Sequence, residues 1–213
     1  MRRLACALVA CGLLATASAA GAEAVFVDAA VGVVDGSVVT AGDIALARAL
    51  GLVGFTPSAV PIDAAAVERM IRAHLIVAEA RLLDIGPAPG EEEAAWQAAA
   101  ARVGGMAALQ RWLAIVALEP AAARALVGVD LRWRRFIDVR FRAFAFVTPE
   151  EVAAALGPGP HDAEAEERAR ARLAAAQAER ELKAWLRQRA QQADAHVLLT
   201  DGVTVPNPFP MPR

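Results

Sequence analysis

Apolar residues fall first into a β-branched pattern and then into a succession of helical stripes. Residues 25–39 read as strand, with Val31 to Val34 and Val38-Val39 on either side of Asp35-Gly36, a dipeptide that predicts a hairpin turn. Thr40-Ala-Gly-Asp43 then fits a capping box and predicts a helix to about Leu50, stopped by Gly51, Gly54 and Pro57. From an N-cap at Asp63, the residues Val67, Ile71, Leu75, Ala78 and Leu82 recur at steps of three or four, predicting one buried face of a helix to Leu83. Gly86-Pro87 and Pro89-Gly90 end it, and Glu91-Glu92-Glu93 open a third helix, which Gly104-Gly105 stops near Val103.

The fourth predicted helix carries Leu109, Trp112, Leu113 and Val116 on one face and ends near Leu118. Pro120 suits the first position of a fifth, running to about Arg142 with Leu131, Phe136, Ile137, Phe141 and Phe144 as its apolar material. Thr148-Pro-Glu-Glu151 starts a short sixth helix to Leu156, and Gly157-Pro-Gly-Pro160 breaks it. A long helix over 162–193 follows, striped by Leu173, Ala176, Leu182, Trp185 and Leu186. A strand is expected at His196 to Leu199 and a disordered tail over 200–213. The expected fold is therefore mainly α, about seven helices with a small β element formed by N- and C-terminal strands. His196 to Leu199 would pair with Val31–Val34 or Val25–Val27.

The first 22 residues change the picture of where this fold works. Arg2 and Arg3, the apolar run Leu4 to Leu14 and the small residues Ala15 to Ala22 have the order of a secretory signal peptide. The apolar run is shorter than the ~20 residues of a membrane-spanning helix. Ala19 and Ala22 both fit the exit rule; cleavage is expected after Ala22, with lipidation at Cys11 as the lesser alternative. Cys6 and Cys11 are the chain's two cysteines, so a mature protein of about 190 residues would have neither disulfide nor thiol chemistry, and packing alone must hold it. Without Arg2 and Arg3 the balance is 20 basic to 24 acidic residues, net −4, with no general bias toward nucleic acid. No later stretch is apolar for long enough to span a bilayer.

Candidate chemistry is sparse. His74, His161 and His196 share no metal-ligand spacing, no phosphate loop, dinucleotide fingerprint or nucleophile elbow occurs, and no cofactor is expected. The acids at Glu91–Glu93 and Glu150–Glu151 are explained by helix starts. The fifth helix concentrates Arg124, Arg132, Arg134, Arg135, Arg140 and Arg142 among aromatics. Export argues against nucleic acid as a partner, so pairing with acids is the expected role. Trp112, Trp133, Phe136 and Phe141 are the candidate peptide-contact residues, with burial in the core as the competing fate.

The order of elements resembles the helical module of SurA-type periplasmic chaperones. Val33-Val34-Asp35-Gly36-Ser37-Val38-Val39-Thr40-Ala41-Gly42-Asp43-Ile44 is similar to that family's "V-V-N-G-x-x-I-T-x-x-D-L". Val67 to Ala80 is similar to its second helix, and Val147-Thr148-Pro149-Glu150-Glu151-Val152 to its "V-S-D-E-E-I". The resemblance covers 30–156, with 162–199 as the returning piece. It implies a periplasmic holdase for unfolded secreted or outer-membrane polypeptides, with a dedicated assembly subunit for one folded envelope partner as the alternative. The family's parvulin prolyl isomerase domain has no room in the linker 157–161, so no catalytic residue carries over and no enzyme activity is expected. One helical domain over 23–199 is expected.

Overall fold

In the computed structural model, which describes residues 28–58, 60–116 and 118–199, seven α-helices accompany a small three-stranded antiparallel sheet, against which α1 and α2 pack. The expected cleavage site, Cys11, the Val25–Val27 edge and the 200–213 tail lie outside the described residues. Strands β1 (Ala30–Val34) and β2 (Ser37–Thr40) form the hairpin. Asp35 and Gly36 make its two-residue turn with φ of 47° and 78°, the positive pair that matches the twist of a tight hairpin. Strand β3 (Ala195–Val197) returns from the far end of the chain to pair with β1, giving the order β2-β1-β3. It is shifted toward the N-terminus relative to the expected His196–Leu199, and Leu198 still donates to the Val31 carbonyl at 2.9 Å.

Local signals set most helix starts. Helix α1 (Ala41–Leu50) begins with the Thr40–Asp43 capping box, both reciprocal bonds being 3.1 Å, and ends on Gly51 at φ 63°. Helix α2 (Ala64–Leu82) starts at Asp63, whose side chain accepts from the Ala66 N–H at 2.9 Å. Helices α3 (Glu91–Arg102), α4 (Met106–Ile115) and α5 (Pro120–Arg140) follow, and a single 3-10 turn (Arg142–Phe144) extends α5. Helix α6 (Pro149–Leu156) carries the second capping box, from Thr148 and Glu151. The long α7 (Ala163–Gln192) is capped by Asp162.

Two apolar clusters hold these elements together. The larger gathers the inner sides of the sheet, α1, the first half of α2, α3, α4 and the start of α5. Here β1 runs against α2 so closely that a methyl on Gly32 would stand 2.8 Å from Val67 Cγ1, which is why the strand has glycine at that point. The smaller cluster joins Ile76 and Ala80 of α2 to Phe136, Ile137 and Phe141, and α7 covers it with Ala178, Leu182, Trp185 and Leu186.

Because α2 packs against helices and sheet on several sides, its buried set is wider than the expected stripe, taking in Met70, Ala73, Ile76, Val77 and Ala80. Leu82, expected to close that stripe, is 80% exposed, since the helix has run past its neighbours by that turn. Phe144 is likewise 70% exposed rather than part of the α5 core face. Ala176 of α7 also faces out.

The returning segment is fastened at the hairpin tip. Asp35 accepts from Arg189 at 3.0 Å and from the Asp194 N–H at 3.0 Å, while its own N–H donates to the Asp194 carbonyl at 2.8 Å. One acidic turn residue thus fixes both the end of α7 and the register of β3.

Candidate peptide-binding groove

An open groove of about 840 Å³ lies between helices α2 and α7 beside β3. That volume falls within the usual range for ligand sites, roughly 300–1,000 Å³. Its reachable apolar lining is Trp133 of α5 with Leu182 and Leu186 of α7, all half-buried, over a base of Ile71, Leu75 and Ile76 of α2, which are themselves core residues. Ala195 and Val197 of β3 close one side, and Val53 contributes from the α1–α2 loop. The helical period creates both walls: positions 68, 72, 75 and 76 face in from α2, and 179, 182, 183, 186 and 190 from α7.

The rims are charged. Glu68 sits 3.6 Å from Arg72, and Glu179 meets Lys183 at 2.6 Å. The Lys183 hydrogen bond, with the lysine charge behind it, holds the Glu179 carboxyl below its ordinary value. Arg69 is engaged elsewhere, donating to the Gly54 carbonyl at 2.9 Å and lying over the Phe55 ring. Arg187 has no hydrogen-bond or ion-pair partner among the described residues. The groove therefore presents four cations against two carboxylates.

Asp130 of α5 holds the loop at the groove's end. It is buried, accepts from the Val53 N–H at 2.6 Å and pairs with Arg134 at 2.9 Å. Val53 itself has φ 54°, a conformation unfavourable for a β-branched residue, and Gly54 follows at φ 69° against the Trp133 ring. The carboxylate compensates that backbone by satisfying its donor. Arg48, also buried, pins the far end of the same loop through the carbonyls of Val60 and Pro61. Burial pushes its pKa down, opposed by the charge of Asp63.

Of the four residues proposed from sequence for peptide contact, only Trp133 lines this groove. Trp112 is enclosed in the larger cluster, and Phe136 and Phe141 in the smaller, so the expected surface on the fourth and fifth helices is corrected to core for these three. For Phe136 and Phe141 the reason is α7: its Trp185 lies 5.3 Å from the Phe136 ring and 6.2 Å from Phe141, covering what α5 alone would expose; Trp112 is enclosed without α7, among the residues of the larger cluster. The sequence reading missed the α7 wall because its stripe is the same signal whether it packs or lines a cleft.

The arginines of α5 stay outside the groove. Arg124 pairs with Glu93 at 2.7 Å and lies over Trp96, and Arg132 stands 3.7 Å from Glu92 on the neighbouring α3. Arg134 and Arg142 pair one turn back, with Asp130 and Asp138. Hydrogen bonds from Gln97 and Arg124 lower the Glu93 pKa.

His74 is half-buried in α2, where desolvation lowers its pKa. Among the described residues no group of three or more His, Cys, Asp or Glu is placed to hold a metal ion, and no single helix is long and apolar enough to cross a membrane. The chain matches no protein-family model and no curated protein.

Proposed function

We propose that this protein is an envelope chaperone-like holdase that shields extended segments of unfolded polypeptides in the α2–α7 groove, without turnover or isomerase activity. The observation that carries this reading is the groove itself: an open, apolar-floored cleft between two helices, rimmed by charge, in a chain whose first residues have the pattern of an export signal. An unfolded secreted or outer-membrane chain offers apolar side chains and unpaired backbone groups together, and a cleft of this kind covers both. Apolar contact contributes about 25 cal/mol per Å², offset by the entropy of ordering the client, so binding would be reversible.

A second reading, a dedicated partner for one folded envelope protein, draws on a different surface. Leu82, Phe144 and Phe146 are 80%, 70% and 75% exposed. Their chain neighbours Ile85 and Ala145 pack on the same small cluster, so the three residues flank one end of it.

Light scattering of a denatured outer-membrane-type client, with and without the full-length protein at low micromolar concentration and no ATP, tests the first reading. Ala190 is exposed on the groove wall, so Ala190→Trp fills the cleft without removing a core contact. The holdase reading expects the parent to suppress aggregation and Ala190→Trp to lose that effect. Aggregation equal to that seen with an inert helical protein would remove it and bring the partner reading forward.

A further inference from the structure

Resting on the reading of the α2–α7 groove as a site for extended polypeptide, we propose that the occupant enters as a fourth strand of the sheet. It is an extended segment with alternating apolar side chains and a flanking acidic residue, which pairs with the outer edge of β3 and sets its carboxylate against Arg187.

The backbone register carries the argument. Leu198 donates to Val31 and Asp35 donates to Asp194, which places residues 194, 196 and 198 in the hydrogen-bonding positions toward β1. An antiparallel ladder alternates, so Ala195 and Val197 turn their N–H and C=O groups the other way. Among the described residues these four groups have no hydrogen-bond partner. Ala195 and Val197 are also the two β3 residues that line the groove, so its side wall is an unpaired strand edge. Such an edge is a template for a further strand.

The layer beneath fits as well. Val197 pairs with Gly32 and so shares its face of the sheet, the face that lies on Val67 and Ile71 of α2. A strand added beside β3 continues that layer over Ile71 and Leu75, with α7 along its flank. Alternate side chains would then point into the apolar floor, and the period of two selects alternating segments over helical ones.

Charge sets the flank. With Glu68 and Glu179 matched by Arg72 and Lys183, two rim cations are left: Arg69, whose guanidinium is held on the Gly54 carbonyl and over the Phe55 ring, and Arg187, which has no such tether among the described residues. An acidic residue on the occupant complements Arg187; a lysine does not.

The test uses the full-length protein and a fluorescent ten-residue synthetic peptide of alternating valine and threonine ending in aspartate, read by anisotropy. Two further versions carry N-methyl groups on either the odd or the even amides. Another replaces aspartate with lysine. Strand addition expects one methylated series to lose about tenfold or more in affinity and the other to stay within about twofold, because only one edge of the occupant bonds to β3. Val197→Pro removes an outward donor while leaving the β1 ladder intact, and is expected to weaken the parent peptide about tenfold with an unchanged melting temperature. Arg187→Glu is expected to reverse the preference for the aspartate peptide over the lysine peptide.

Equal binding of both methylated series would show recognition by side chains alone, and loss of both would show a helical occupant; either overturns strand addition while the groove reading survives. Should Val197→Pro fail to fold, the methylated pair decides. If no peptide binds, the groove reading falls and the strand proposal with it.

Discussion

Replacing Asp130 by alanine should destabilise the protein by about 2–3 kcal/mol, more than the loss of its ion-pair partner Arg134. The carboxylate is 4% exposed and accepts from the Val53 N–H at 2.6 Å. Alanine would leave that donor buried without an acceptor, and an unmet buried polar group costs roughly 1–3 kcal/mol. Val53 would also keep its unfavourable positive φ with nothing to hold it, a strain on the order of 1 kcal/mol or more. Asp130→Asn keeps an acceptor oxygen and loses the ion pair with Arg134, whose side chain is 47% exposed. It should therefore cost under about 1 kcal/mol, while Arg134→Ala, which leaves the buried carboxylate without its cation, should fall between Asp130→Asn and Asp130→Ala. Urea unfolding followed by far-ultraviolet circular dichroism, with the slope compared across variants, measures all three. If Asp130→Asn proves as damaging as Asp130→Ala, the charge rather than the Val53 bond holds the loop, and the reasoning fails. If Asp130→Ala lies within about 0.5 kcal/mol of the parent, the loop anchor has no energetic weight.

Trp185→Ala should cost about 2–4 kcal/mol by uncovering Phe136 and Phe141, and near-ultraviolet dichroism should lose intensity along with stability; an unchanged melting temperature would mean that α7 is only loosely laid over the cluster. His74 predicts a pH effect of definite sign. Its pKa is lowered in the folded state by burial, with Asp43 raising it and Arg81 lowering it further, so the unfolded chain binds the proton more readily. Its contribution is present above the ordinary imidazole value of 6.5 and is lost as pH falls below it. His74→Leu should lose less stability than the parent between pH 7 and pH 5; equal losses would remove His74 as the cause.

The legible parts of this fold were those set by neighbours in sequence. Both capping boxes, the Asp35-Gly36 turn, proline at the start of α5 and the break at Gly157 to Pro160 each act within a few residues, so composition alone predicts them. Helix ends were less legible: α4 stops at Ile115, before the expected Leu118, and β3 begins one residue early, because packing and the Asp35–Asp194 bonds decide those limits.

Side-chain fate was harder still. Phe136, Phe141 and Phe144 read alike in sequence, yet α7 covers the first two and leaves the third exposed. Leu82 continues the period of α2 beyond the point where anything packs on it. The groove depends on how far apart α2 and α7 stand, a distance that no local signal encodes. Trp133 belonged to the candidate set because it is large and apolar, and it lines the cleft because Gly54 lets the loop approach its ring.

Crosslinking from a single site tests the central claim most directly. Lys183→Cys places a thiol on the groove wall, and Arg111→Cys places one on the exposed face of α4, away from it. With Cys6 and Cys11, the two cysteines of the sequence, replaced by serine, each variant carries only the introduced thiol. Each variant would be loaded with a short photo-crosslinker and mixed with a denatured outer-membrane-type client. The account predicts client adducts from Lys183→Cys that are lost when Ala190→Trp fills the groove, and few from Arg111→Cys. Equal adducts from both sites, or adducts from Lys183→Cys that persist with the groove filled, would contradict it.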